Sequence, residues 1–307
     1  MTSNRIPRLN VGSQIGGYLT VLGIVYDFGP DPVYIVWHHG SWCPMACKVF
    51  RKPEQAQREV AVLRALAHPN IVRPFGYGDP AHVLMEYLEG PTLRRLIKSL
   101  PRKRLSISDA LRVAIHLGGA LAHMHDRGFL HLDVKPRNVI ISRARPVLFD
   151  FGTARPQCDW EQDLLEGTDP YMAPEQCRRE AVSPATDIYA LGVTLFEMLT
   201  GGRPFPDGSR RKTFPQLTQD PRPLRALRRS VSPALEGLVL ECLSREPYTR
   251  PAVKELLPKL HSHIRGGAPL WPRSFEPPVE PDRVRFPPPA PGQEAAESSC
   301  YRGAACP

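Results

Sequence analysis

The sequence predicts an α+β fold with a small β-rich N-terminal part and a larger, mainly helical remainder. Three observations predict it. Short runs rich in β-branched and aromatic residues come first, over 18–26, 33–38 and 43–50. Longer stretches with apolar residues at helical spacing cover 54–66, 108–127 and 187–200. Between the second and third of these lie two apolar runs, Val139-Ile140-Ile141 and Val147-Leu148-Phe149, which read as a buried hairpin joined by a polar turn.

The hairpin organises the chemistry. His131-Leu132-Asp133-Val134-Lys135-Pro136-Arg137-Asn138 leads into its first strand, and Asp150-Phe151-Gly152 leaves its second. The polar groups therefore gather at one end. Asp133 is placed to accept a hydrogen bond from a substrate hydroxyl and orient it for in-line attack. Asn138 and Asp150 are hard oxygen ligands suited to Mg²⁺, and Lys135 can neutralise charge on a phosphoryl group. The spacing resembles the H-R-D-x-K-x-x-N and D-F-G motifs of the Hanks-type Ser/Thr protein kinases, in order and close together. That resemblance covers residues 15–265. It implies a two-lobed kinase fold, an N-lobe over about 15–88 and a C-lobe over about 89–265, with the active site between them. Residues 1–14 read as an N-terminal extension.

The remaining elements follow in order. The three early strands match the start of the kinase N-lobe, and the tip between the first two should be the glycine-rich loop. Here it reads Asp27-Phe28-Gly29-Pro30-Asp31-Pro32. With Val33-Tyr34 aligned to the Val-Tyr that follows the loop, the glycine positions hold Tyr26, Phe28 and Asp31. Glycines let backbone N–H groups approach phosphate closely, and proline has no N–H to offer. Asp27 and Asp31 repel phosphate unless they turn outward or bind metal, so weak or unusual ATP binding is expected. Met45-Ala46-Cys47-Lys48 resembles V-A-I-K. By that match Lys48 reaches the α- and β-phosphates, and Val33 and Ala46 pack on the adenine. The helical run from Glu54 to Leu66, with Val60, Leu63 and Ala67 on its apolar face, carries Glu59 where kinases place the lysine's partner. Val83-Leu84-Met85-Glu86-Tyr87-Leu88 resembles the hinge. Met85 is then the gatekeeper, and the backbone of Glu86 and Leu88 holds adenine.

Ser108 reads as the N-cap of a helix running to about Arg127, with Asp109 in its first turn. Gly167-Thr168-Asp169-Pro170-Tyr171-Met172-Ala173-Pro174-Glu175 resembles the end of a Ser/Thr kinase activation segment, which implies that Thr168 bonds Asp133 and Lys135 and shapes the substrate platform. Asp187 matches the residue that braces the catalytic loop, and Arg250 matches the ion-pair partner of Glu175. Two departures stand out. Leu132 replaces the Arg that receives an activating phosphate, and Thr153 is the only hydroxyl residue between Gly152 and Thr168. Arg137 stands before Asn138, where a cation disfavours basic peptides.

Composition sets further bounds. The chain has 307 residues, a formal net charge of +9 and seven scattered cysteines, which do not form a disulfide framework and read as free thiols. No apolar run reaches the roughly 18–20 residues of a membrane span, and the N-terminus lacks a signal-peptide core, so a soluble, cytoplasmic protein is expected. The positive charge lacks the interleaved aromatics of a nucleic-acid site, so no nucleic acid is expected. The basic residues over 210–229 are either a solvated surface or a docking patch for acidic partners. From Gly266 the chain is proline-rich and reads as an extended tail, with a polyproline-binding partner as its functional reading. The resemblance implies ATP and Mg²⁺ (or Mn²⁺) as cofactors and protein Ser/Thr hydroxyls as acceptors. A pseudokinase scaffold is the alternative that the degenerate loop favours. A small-molecule kinase of similar fold is a second, which the peptide-platform motifs disfavour.

Overall fold

A computed structural model describes residues 8–26, 31–158, 167–205 and 214–264. The tip at 27–30, most of the activation segment, the basic run at 206–213 and the proline-rich tail lie outside the described residues.

The N-lobe is built on a six-stranded sheet, β1 (Gln14–Ile15), β2 (Leu19–Tyr26), β3 (Val33–His38), β4 (Cys43–Val49), β5 (Pro74–Gly78) and β6 (His82–Glu86), in the order β1-β2-β3-β4-β6-β5 and antiparallel throughout. Alternation gives it two faces. Tyr34, Val36, Met45, Cys47 and Leu84 form a small core on one side with Ile15, Leu19 and Val21. Val83 and Met85 face the main core on the other, beside helix α1 (Pro53–Arg64). Residues before 15 are tied to this lobe: Leu9 N donates to Tyr34 Oη at 3.1 Å, and Gly12 N to Val21 O at 2.8 Å. Leu9 and Gly12 thus join the sheet through its second and third strands. β5 has Pro74, Gly76 and Gly78, which conceal it as a strand in the sequence. It sits at the sheet edge, where proline is tolerated.

The C-lobe is helical. Short α2 (Leu93–Ser99) is capped by Thr92, which accepts from Arg95 N. α3 (Ile107–Asp126) is capped by Ser106, not Ser108. Ser106 Oγ accepts from Asp109 N at 3.0 Å and donates to Asp109 Oδ2 at 2.7 Å, so the residue three places before the acid takes the cap and Ser108 falls in the first turn. Then come β7 (Phe129–Leu130), the hairpin β8 (Val139–Ser142) and β9 (Arg145–Leu148), β10 (Arg155–Pro156), α4 (Pro174–Arg178), α5 (Pro184–Thr200), α6 (Leu224–Leu227), α7 (Pro233–Cys242) and α8 (Val253–Ser262). α5 is buried on all sides from Thr186 to Leu199, the mark of a central helix. It packs between α3 and α7. Cys43, Cys47, Cys158, Cys177 and Cys242 are free thiols. Among the described residues no helix is long and apolar enough to cross a membrane.

Gly90, between the lobes, has φ +143°, and a Cβ there would lie 2.0 Å from Ile141 O. Only glycine lets the hinge leave β6 and pass this close to β8.

Lower in the C-lobe, Arg250 grips Glu175 with two bonds, Nη1 to Oε1 at 2.7 Å and Nη2 to Oε2 at 2.8 Å. Thr186 Oγ1 donates to the same carboxylate at 2.8 Å, and the guanidinium lies over the Tyr189 ring. Both charged side chains are buried. Glu175→Ala or Arg250→Ala is expected to lower unfolding free energy by about 3–5 kcal/mol by stranding a buried charge. Urea unfolding checks this, and a loss under about 1 kcal/mol would show that the pair is not structural.

Candidate active site

The site lies where β3, β4 and β6 face the β8–β9 hairpin. Alternation along β4 turns Ala46 and Lys48 away from the small core and into the cleft. The cleft has a volume of about 510 Å³, and Val33, Ala46, Lys48, Met85, Glu86, Leu88 and Asp150 all line it. Ile140, on β8, supplies apolar floor that was not singled out from the sequence. Its place in an apolar run marks it as buried, but not which side of the hairpin meets the cleft. Among the described residues, Leu88 has no protein hydrogen bond at its backbone, which leaves those groups for a planar heterocycle.

Lys48 carries two ion pairs. Its Nζ lies 2.7 Å from Glu59 Oε2 and 2.7 Å from Asp150 Oδ1. Glu59 stands behind it on the buried face of α1. Burial works against the ammonium, but Asp150 and Glu59 outweigh it and carry the Lys48 pKa above the usual lysine value. Burial likewise opposes ionisation of Asp150, and Lys48 overcomes it, holding that carboxyl below the ordinary range. The lysine is therefore charged and fixed, and ties the sheet to the end of the hairpin.

Asp133 sits in a second network. Lys135 Nζ donates to Asp133 Oδ2 at 2.5 Å and to Thr168 Oγ1 at 2.5 Å. Thr168 Oγ1 donates to Asp133 Oδ1 at 2.8 Å, and Asn138 Nδ2 donates to Asp133 Oδ2 at 3.0 Å. The amide nitrogen of Asn138 is thus committed, which turns its oxygen to the role of ligand. Phe149 N donates to Asn138 O at 2.9 Å, which brings Asn138 beside Asp150, the next residue. Two oxygen donors, the Asn138 amide and the Asp150 carboxylate, suit Mg²⁺, which keeps waters and takes phosphate oxygens to complete its shell.

The loop carrying Asp133 is strained and clamped. Leu132 has φ +65° and Asp150 has φ +66°, a region that costs non-glycine residues about 1–3 kcal/mol each unless the surroundings impose it. Buried Asp187 imposes it at Leu132, accepting from His131 N at 3.0 Å and Leu132 N at 2.8 Å. His125 Nε2 bonds the same carboxylate at 2.9 Å, a partner the sequence did not disclose. Gln176 Nε2 donates to Leu132 O at 3.0 Å. Gly167, at φ +117°, leaves room for this: a Cβ there would lie 3.0 Å from Met172 Cγ and 3.1 Å from Leu132 O. Leu132 itself is buried, and Thr153 Oγ1 donates to His131 O at 2.9 Å. Asp31 lines the cleft half-buried, near Lys48 and Asp150. Burial raises its pKa, Lys48 opposes this and Asp150 adds to it.

A two-lobed frame with a charged lysine bridge on one wall and an Asp–Lys–Thr–Asn network on the other defines a protein kinase fold. A family model described as the protein kinase domain matches residues 31–261, and the chain belongs to that family. It is 34% identical over 213 residues to the serine/threonine-protein kinase PknB of Mycolicibacterium smegmatis, covering 63% of this chain and 33% of that protein. It is 32% identical over 249 residues to PknD of Chlamydia felis, covering 70% of this chain and 26% of that protein. The chain thus spans about a third or less of the length of these bacterial relatives. A solved structure of the PknI kinase domain from Mycobacterium tuberculosis, a Cys-to-Ala variant, superposes with a TM-score of 0.67 at 26% identity, covering 83% of this chain and 99% of that one.

Burial alone would raise the Asp187 pKa, but His125 and the backbone N–H of His131 outweigh it, so the folded value lies below the unfolded value of about 3.9. The stabilisation is complete above that unfolded value and is lost as pH falls towards the folded one. Asp187→Asn is expected to be less stable than the parent at neutral pH, with the gap closing as pH falls from the unfolded carboxylate value of about 3.9 through the lower folded one. Urea midpoints across that range check this, and a gap that stays constant with pH would exclude the ionised clamp.

Proposed function

We propose that the chain is a Ser/Thr protein kinase, which moves the γ-phosphoryl group of ATP to protein Ser or Thr hydroxyls. The observation that carries this is the closed network of Asp133, Lys135, Thr168 and Asn138 beside the Lys48–Glu59–Asp150 bridge. Ala46, Val33 and Ile140 hold the adenine between them, and the hinge backbone at Glu86 and Leu88 fixes its edge. Lys48 orients the α- and β-phosphates, with Glu59 keeping it from swinging away. Asn138 and Asp150 would hold Mg²⁺ or Mn²⁺, which would supply charge neutralisation at the phosphates. Asp133 accepts the hydroxyl proton and aligns the oxygen. Lys135 balances the charge on the transferring group, and Thr168 fixes both side chains against the peptide platform.

Activity independent of activation-segment phosphorylation belongs to this reading. Leu132 offers no cation to a phosphate, and the Thr153 hydroxyl is spent on the catalytic-loop backbone. The assay is transfer of labelled phosphate from ATP to a mixed Ser/Thr protein substrate, with Mg²⁺ or Mn²⁺, before and after phosphatase treatment. Asp133→Asn and Asp150→Asn should each lower the rate by about 10²–10⁴-fold, and phosphatase treatment should leave the parent active. A folded parent no faster than the variants would favour a scaffold without phosphoryl transfer. Loss on phosphatase treatment would end the claim of independence.

The position of Asp31 supports weak nucleotide binding, since its carboxylate faces the cleft where a glycine would leave space for phosphate. Asp31→Gly is expected to tighten ATP binding about tenfold, the scale of removing one like charge at partial exposure. Titration of bound nucleotide with Mg²⁺ present checks it, and unchanged affinity would show that Asp31 does not oppose the phosphates.

A further inference from the structure

The outer mouth of the cleft carries a group of cations that the reading above does not use. Arg94, Arg95 and Lys98 come from α2, and Arg137 comes from the turn between Lys135 and Asn138; all four line the cleft. α2 packs against that turn, so the two sets adjoin. Arg95, Lys98 and Arg137 are exposed, and no carboxylate pairs with any of them among the described residues. Arg95 and Lys98 are three residues apart on a helix, which puts their Cβ atoms about 5–6 Å apart on one face. Two buried acids nearby are already taken: Asp133 by Lys135, Thr168 and Asn138, and Glu197, whose Oε1 accepts from Arg94 Nη1 and Oε2 from Tyr171 Oη at 2.5 Å. Glu86 lies 3.7 Å from Arg145. The other acids of the cleft, Asp31 and Asp150, lie near Lys48 at the phosphate end.

We infer that α2 and Arg137 form an anion subsite for the substrate chain, and that it selects Ser/Thr acceptors flanked by Asp or Glu. This rests on the kinase reading, and names the substrate class of the same site. Arg137 is next to Asn138 and four residues after Asp133, so its charge falls beside the acceptor. Arg95 and Lys98 extend the positive field outward along the wall of the cleft. A row of separate cations matches carboxylates spaced along a chain better than a single dianion. With Glu197 bonded to Arg94 and Tyr171, the acids that line the cleft among the described residues are Glu86, Asp31 and Asp150, and none of them stands on α2. Solvent exposure limits each pairing to a few-fold, so three together give roughly tenfold discrimination, strongest at low salt.

The test uses the full chain with Mg²⁺–ATP and three synthetic peptides that share one acceptor and differ only in flanking residues: Asp/Glu, Gln/Asn or Lys/Arg. The ratio of kcat/KM for the acidic over the basic peptide should be about tenfold or more, and should shrink at 0.5 M salt, about the range where screening is strong. Arg137→Glu and the Arg95→Glu/Lys98→Glu pair should each erase or reverse it. Anisotropy binding of the same peptides to Asp133→Asn protein reads the subsite without phosphoryl transfer. Charge-selective binding without transfer in the parent would sink the kinase reading and keep the subsite. Transfer with no charge preference would sink the subsite alone. An equal loss for all three peptides with a raised KM for ATP would assign the cations to the nucleotide. A preference seen only when the flanking residue is phosphorylated would overturn the carboxylate assignment.

Discussion

The carboxylate of Asp187 is the constraint on which the rest of the site depends. It is buried at the start of the most buried helix, and spends its oxygens on two successive backbone N–H groups and one imidazole. Those bonds hold Leu132 in a left-handed conformation that a leucine does not adopt by itself. Asp133 is the next residue, so its direction is set by that bend. Lys135, Asn138 and Thr168 then converge on a carboxylate whose position comes from the core of the large lobe. The reactive loop is thereby anchored to a helix and does not rely on its own stiffness.

The bridge from Lys48 serves a different purpose. Glu59 reaches it from α1 and Asp150 from the end of the hairpin, so one ammonium joins a sheet, a helix and a loop. Leaving any one of the three uncompensated in a buried setting is costly. The same two carboxylates that hold the lysine charged also prevent it from acting as a base. Its chemistry is reduced to a fixed positive point.

Much of this was legible in the sequence because the motifs fix both residue type and spacing. His131 to Asn138 and Asp150 to Gly152 bracket a hairpin of known length, and the hairpin closes as expected, with Val139 opposite Leu148. Lys48 and Glu59 were readable because Met45-Ala46-Cys47-Lys48 resembles V-A-I-K and the helical run after it carries Glu59 where kinases place the lysine's partner. What stayed hidden had weak or ambiguous local signals. β5 is rich in glycine and proline, and is a strand only because β6 offers its edge. Two serines competed to cap α3, and tertiary geometry decided for Ser106. α2 is too short for periodicity to reveal, and its cations gain meaning only from packing beside Arg137. The inward direction of Asp31 could not be derived, since a residue at a loop end can face either way.

The register of β3 on β4 has a consequence for how this chain can change. Val33 lies opposite Lys48 and Ile35 opposite Ala46, so the cleft wall is made of alternate residues from both strands. Turn residues 39–42 can lengthen or shorten without touching that parity. A single residue lost inside β4 cannot be absorbed so easily. It would turn the Cys47 thiol, whose pKa burial pushes up to about 12, towards the cleft and bury the Lys48 ammonium in the small core. Length variation in this lobe is therefore graded: free in the turns, and tolerated within a strand where a register irregularity takes up the odd residue, as in β2 and β5.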